Sequence, residues 1–213
     1  MLNSQFYDLV LRKARRPGDV NLRANAVEES RMFIQSLERS PFHPWFLEKT
    51  SSGLVTVADV QTVALPTDFL LMVEDTKIYL IDSDEVYHEQ TRGYHEDMER
   101  IYNAADAGTP AGYDIFAGNI YFGPKPDGVY TIRLKYYQRT TPPSDDGVEV
   151  SNLWTLNAED FMVTSLAARL CDIYTMDERR AASLKIESSS LRLELFKYNE
   201  ARKHTDMDYV VDR

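Results

Sequence analysis

From Trp45 to Tyr137 the chain is cut by Gly53, Pro66, Gly108, Pro110, Gly112, Gly118, Gly123, Pro124, Pro126 and Gly128 into short β-branched and aromatic runs. Such dense punctuation leaves little room for long helices and calls for strands joined by tight turns, whereas the stretches on either side keep helical spacing. The predicted order is α, then β, then α. Strands are expected at 45–50, 55–57, 69–73, 77–81, 114–116, 119–122 and 130–137, as a small antiparallel sheet or barrel. In the last run Tyr130, Ile132, Leu134 and Tyr136 alternate with Thr131, Arg133, Lys135 and Tyr137, which gives one apolar face and one largely polar face. Ala117-Gly118-Asn119 supplies a hairpin turn. Residues 83–103 are charged and free of proline, and predict a helix crossing the sheet with Gly93 as its weak point.

The flanks carry the helices. Asn3 and Ser4 can cap a first helix with Phe6, Leu9 and Val10 on one side, stopped by Pro17-Gly18. A second is expected from Asn25 to Ser40, with Val27, Ile34 and Leu37 on one face and Pro41 and Pro44 ending it. The turn-rich stretch 140–146 leads back to helix. Asn157 with Asp160 makes a start resembling a capping box, followed by Val163, Leu166, Leu170 and Ile173 at helical spacing, widened by Phe161, Ala168 and Cys171. A final helix places Leu184, Leu191, Leu195 and Tyr198 on one face. Residues 204–213 show no amphipathic pattern.

Composition then removes several classes. With 24 Lys plus Arg against 34 Asp plus Glu, the 213 residues carry a net charge of -10. That balance opposes tight DNA binding by counterion release unless a local patch defies the total, while a channel through which DNA slides remains compatible. No run approaches the roughly 18 apolar residues of a membrane span, and the start lacks the pattern of a signal peptide, so the expectation is a soluble protein not exported by that route. Cys171 is the single cysteine, which excludes an internal disulfide and a multi-cysteine zinc site.

Chemical motifs are mostly missing. There is no nucleophile elbow, Walker loop, dinucleotide fingerprint or HExxH zinc pattern. Gly123-Pro124-Lys125-Pro126-Asp127-Gly128 has two prolines where a phosphate cradle needs backbone N–H groups, and reads as a rigid hairpin connection. His88 and His95 would share a face of the expected crossing helix, but a rise of about 10 Å over seven residues is too long for one ion to bridge. Asp82-Ser83-Asp84 opens like a calcium loop and then fails, with Val86 at the next ligand position. Asp97 and Glu99 could form an acid–base pair only if a cleft brought them together. Cys171 falls in an apolar helix stripe and reads as an inert core thiol. The run Arg12, Lys13, Arg15, Arg16 is accounted for by its place at a helix C-terminus, where the dipole welcomes cations, with contact to nucleic-acid phosphates as the lesser alternative.

Taken in order, several runs resemble the head-to-tail adaptor (connector) proteins of tailed bacteriophages, including the tail tubular protein A type of short-tailed phages. They are the N-terminal helices ending near Pro44-Trp45, then Leu65-Pro66-Thr67-Asp68-Phe69-Leu70, then Gly108-Thr109-Pro110-Ala111-Gly112-Tyr113-Asp114-Ile115. Gly118-Asn119-Ile120-Tyr121-Phe122-Gly123-Pro124-Lys125-Pro126-Asp127 follows, then the strand ending in Tyr136-Tyr137, Asn152-Leu153-Trp154, and the helix with Ala167-Ala168. Each piece alone has a structural reason; their order carries the resemblance. It implies a virion protein of the neck or tail region, made in the host cytoplasm, that forms a dodecameric ring beneath the portal and continues the channel for genome exit. The implied partners are the portal protein, tail or nozzle proteins, further copies of itself, and passing double-stranded DNA without sequence recognition; no membrane and no cofactor is implied.

The predicted fold is α+β, with terminal helices forming a bundle and an inserted antiparallel β-rich subdomain. The expected divisions within a single domain are 1–44, 45–150, 151–203 and a tail at 204–213. Met207, Tyr209, Val210 and Val211 put apolar surface on that tail and are the candidates for portal docking. The expected role is structural and not enzymatic. The alternatives are a tail-tube or neck subunit of the same particle, or a hydrolase using a carboxylate pair.

Overall fold

Helices from both ends of the chain form one unit. The computed structural model describes residues 2–51, 53–74, 76–96, 107–149 and 152–207, with side chains through 202. One compact unit combines Met1–Leu47 with Thr140–Arg213, and the other is Glu48–Arg139. The fold is thus α+β, a bundle of terminal helices with a central β-rich subdomain.

In the helical unit α1 (Asn3–Lys13) buries Phe6, Tyr7, Val10 and Leu11. Its cap is Leu2 and not Asn3 or Ser4, because the Asn3 side chain is drawn inward to donate to Asp146 Oδ1 at 2.9 Å. Helix α2 (Val20–Glu38) starts five residues before the expected point, where the Asp19 carboxylate accepts from the Leu22 N–H at 2.9 Å and Leu22 is buried as the first anchor. A short α3 (Leu153–Asn157), capped by Asn152, precedes α4 (Glu159–Ile173), and Ala158 at φ -140° and ψ 42° breaks them apart. The last helix, α5, is Glu178–Met207, so the backbone stays helical into the segment expected to be a non-helical tail.

Helix α4 occupies the middle, packed against α1, α2 and α5. Phe161, Met162, Val163, Leu166, Ala167, Leu170 and Cys171 are buried around its circumference, as expected of a helix with neighbours on every side. Polar groups inside are paired: Tyr7 Oη lies 2.8 Å from Ser30 Oγ and donates to the Pro143 carbonyl at 2.8 Å, and burial pushes its phenol up to about 12.

The β unit holds a six-stranded sheet in the order β10-β4-β5-β7-β8-β2, a three-stranded sheet β1-β11-β3, and a pair β6-β9. The strands are β1 (Glu48–Thr50), β2 (Thr62–Ala64), β3 (Phe69–Met72), β4 (Ile78–Ile81), β5 (Tyr87–Arg92) and β6 (Ala107–Gly108). They continue with β7 (Gly112–Phe116), β8 (Asn119–Gly123), β9 (Lys125–Pro126), β10 (Thr131–Arg133) and β11 (Lys135–Gln138). Pairing is antiparallel except for β5 with β7 and β6 with β9. Ile78, Leu80, Tyr113, Ile120, Phe122, Ile132, Leu134 and Tyr136 make the core.

Several expectations need correction. Tyr87–Arg92 is a strand and not part of a crossing helix, because its backbone pairs with β4 on one side and β7 on the other, a ladder that outweighs local propensity. A helical turn begins only at His95, and residues 97–103 lie outside the described residues. The carboxylate of Asp82 accepts from the N–H groups of Asp84 and Val86, both at 2.9 Å, so Asp82-Ser83-Asp84 is the turn between β4 and β5. The expected strand 130–137 divides at Leu134, whose N–H leaves the ladder for Ser51 Oγ at 2.9 Å as the chain passes between sheets. Its alternation survives as far as Tyr136: Ile132, Leu134 and Tyr136 are buried, while Thr131, Arg133 and Lys135 are exposed, but Tyr137, expected on the polar face, is buried as well. Trp45–Leu47 is a 3₁₀ turn ahead of β1, and 55–57 makes only isolated bridges. The proline-rich run carries β9 beside β6 in place of a plain hairpin reversal. The turn at Ala117-Gly118 matches expectation, with φ of 46° and 78° joining β7 to β8.

Candidate assembly surfaces

Helix α5 has two apolar faces. Asp177 starts it by accepting from the Arg180 N–H at 3.0 Å, and Glu178 suits the positive end of its dipole. The inward face runs through Ala181 and Leu184, which are buried, Ser188, whose Oγ lies 2.6 Å from Ser165 Oγ, half-buried Leu191 and Leu195, and buried Asn199. Asn199 Oδ1 accepts from the Trp45 N–H at 2.7 Å and ties the helix to the end of the α2 connection. Opposite this stripe stand Ile186, 72% exposed, and Leu193, 53% exposed, seven residues apart and so two turns along one face. Small Ser189 and Ser190 lie between them.

Toward its C-terminal end α5 carries an aromatic group. Phe196 lies 5.5 Å from Phe42, Tyr198 lies 6.5 Å from Trp45, and the Arg202 guanidinium sits 4.0 Å over the Trp45 ring. Phe196 and Tyr198 remain largely exposed despite these neighbours.

In the basic run at the end of α1, Lys13 is engaged within the bundle and the arginines are exposed. Lys13 Nζ pairs with Glu187 at 2.6 Å, and its carbonyl accepts from Arg180 Nη2 at 2.8 Å. Arg12, Arg15 and Arg16 are exposed, with Arg15 in the left-handed region at φ 59°. Of the expected docking residues, Met207 is the last residue of α5, and Tyr209, Val210 and Val211 lie outside the described residues.

The chemistry-bearing residues are dispersed. His88, on a strand and not on a helix face, has Nε2 2.8 Å from Asp82 Oδ2, while the His95 ring stacks on Phe116 at 4.6 Å. Asp97 and Glu99 lie outside the described residues. Among the described residues no group of three or more His, Cys, Asp or Glu could hold a metal ion, and no helix is long and apolar enough to cross a membrane. Cys171 is buried, and burial pushes its thiol up, away from the reactive thiolate.

Ile186 and Leu193 were not singled out by sequence reasoning, which followed the inward stripe. Their signal was present in their spacing: two large aliphatic residues seven apart on the face that a one-sided helix leaves polar.

No curated protein matches this chain. The family model for the SU10 adaptor protein does, and it runs from residue 5 to residue 203, from the first helix through both units to the last. With nearly its whole length accounted for by that model, the chain belongs to the SU10 adaptor family of head-to-tail connector proteins.

Proposed function

We propose that this phage head-to-tail adaptor acts as one subunit of a ring in which neighbouring copies meet along α5. The family is one of structural adaptors and not of enzymes, so the function is one of contact and closure. The observation that carries the reading is the exposed pair Ile186 and Leu193, opposite a face already satisfied by α4. The occupant is a second copy of the chain. Helix α5 has seven Lys or Arg against five Asp or Glu, a small positive balance on a chain that as a whole is at -10, which favours its approach to the acidic excess of a neighbour. A closed ring needs such a heterologous contact, one patch meeting a different patch on the next copy.

In this reading the ring seats on the portal, meets the tail proteins on its other side and continues the channel for DNA. Met207, Tyr209, Val210 and Val211 serve as the portal anchor, burying apolar surface on the partner. Mass photometry of the protein mixed with portal rings tests the reading. A defined complex larger than the portal is expected, and the Ile186→Asp, Leu193→Asp double variant should keep its melting temperature yet fail to assemble. Portal mass unchanged at micromolar protein overturns the adaptor ring, and normal assembly by the double variant removes α5 from the subunit contact.

A further inference from the structure

Within the β unit, Arg133 on the six-stranded sheet, Lys135 on the three-stranded sheet and Lys77 just ahead of β4 gather into a cation cluster that the ring reading does not use. Alternation along β10 and into β11 turns Ile132 and Leu134 inward and Arg133 and Lys135 outward. Register places Arg133 opposite Tyr79, and Ile81 opposite Tyr87, so Arg133 and the two tyrosines share that outer face. The tyrosine rings meet edge to face at 6.0 Å, and Arg133 Nη1 lies 3.4 Å from Tyr87 Oη. With Thr76, Lys77 and Lys135 they enclose an open cavity of about 470 Å³. Lys77 pairs with Glu89; among the described residues no ion pair joins Arg133 or Lys135 to a carboxylate.

We propose that this cavity is a binding site for the phosphodiester backbone of DNA. Arg133 and Lys135, two cations without a carboxylate partner among the described residues, share one concave surface with the paired Lys77 on a chain of net charge -10, where the average field repels phosphate. Arg, Lys, Thr and Tyr side chains are the donors that proteins use on phosphate oxygens, and all four types line this cavity. Tyr79 and Tyr87 add aromatic surface for sugar or base. No base edge is read, so the contact is independent of sequence and weakens with salt. A cluster of this kind would give transient holds to DNA on a surface that otherwise repels it.

The test uses the full chain, unassembled, with a fluorescein-labelled 20-base-pair duplex read by anisotropy, so its outcome is separate from ring formation, which is read as mass. Wild type should bind with Kd on the order of 10–100 µM at low salt, in the range of sequence-independent contacts. Arg133→Gln with Lys135→Gln should weaken binding about tenfold and reduce the slope of log K against log salt by about 1.8, close to 0.9 for each lost phosphate contact. Lys135→Arg, which keeps the charge beside wild-type Arg133, should bind as wild type does. Arg31→Gln with Arg39→Gln, which removes the same charge from exposed positions on the helical unit, should leave the affinity within about twofold, the size of a small general-charge effect. No binding by wild type at 100 µM overturns the site, as does an equal loss in the Arg31 and Arg39 variant. Displacement of the duplex by decaglutamate at equal charge also overturns it, and assigns the cavity to an acidic peptide.

Discussion

Glu29 and Arg169 show how burial decides which partner of an ion pair matters more. The carboxylate is 3% exposed and accepts from Arg169 Nε at 2.7 Å and from Tyr174 Oη at 3.1 Å, while the Arg169 side chain keeps 37% of its surface in water. Removing Arg169 strands a charge away from solvent; removing Glu29 leaves a guanidinium that can still hydrate. Arg169→Ala should therefore cost about 3 kcal/mol and Glu29→Ala nearer 1–2 kcal/mol, measured by urea denaturation. Equal costs would show that solvent access does not govern this pair. Asp68 gives a pH test: burial raises its carboxyl, but hydrogen bonds from Lys49 Nζ and Tyr136 Oη outweigh that and leave it below the ordinary 3.8. Because the folded value is depressed, the stabilisation is present above the unfolded value and is lost as pH falls through the folded one. The gap in urea midpoint between wild type and Asp68→Asn should thus hold at pH 7, narrow below 3.8 and close at lower pH. At Cys171, burial predicts that a thiol reagent at neutral pH reacts only as fast as the protein opens. Fast labelling of the folded protein would contradict that.

At the scale of elements, caps decide where helices start. Asn152 accepts from the N–H groups of Trp154 at 3.0 Å and Thr155 at 3.3 Å, and donates to Thr140 Oγ1 at 2.9 Å and the Thr141 carbonyl at 2.8 Å. It is buried, so Asn152→Ala should cost about 2–3 kcal/mol, combining a lost cap with unsatisfied partners. Asn152→Asp keeps the accepting oxygen but sets a carboxylate oxygen against the Thr141 carbonyl in a buried site, and should cost at least as much by thermal or urea unfolding. None of this was readable in advance, since the Thr140 and Thr141 partners come from a separate connection. The hydrophobic stripe of α4 was readable because Val163, Leu166 and Leu170 recur at helical spacing whatever surrounds them. The same rule misled at 83–103, where charge and the lack of proline suited a helix and only pairing with β4 and β7 selected a strand.

For the whole molecule, the question is which surfaces work after folding. Helix α5 continues to Met207, so deleting residues 204–213 removes its last turn together with the proposed anchor. That should cost the subunit under about 1 kcal/mol, since a terminal turn frays in any case, and leave the melting temperature within a few degrees. Portal binding, read as mass, should be lost. A large fall in melting temperature would show that this segment packs within its own subunit, and retained binding would move the portal contact elsewhere.

By itself the sequence determined the order of helical, β-rich and helical stretches, the alternation from Tyr130 to Tyr136, the tight turn at Ala117-Gly118 and the absence of a catalytic motif. These are local or periodic properties, set by spacing and by residues that admit few backbone conformations. It also carried the resemblance to head-to-tail adaptors, through short runs whose order survives where each run alone is weak. The tertiary structure decided what depends on distant partners: that 87–92 is a strand between β4 and β7, that Lys13 is held by Glu187, and that Ile186 and Leu193 face solvent. It also brought Lys77, Arg133 and Lys135 around one cavity from separate strands and loops. Strand register and side-chain burial are set by contacts between residues far apart in the chain, and no window along the sequence contains both members of such a contact.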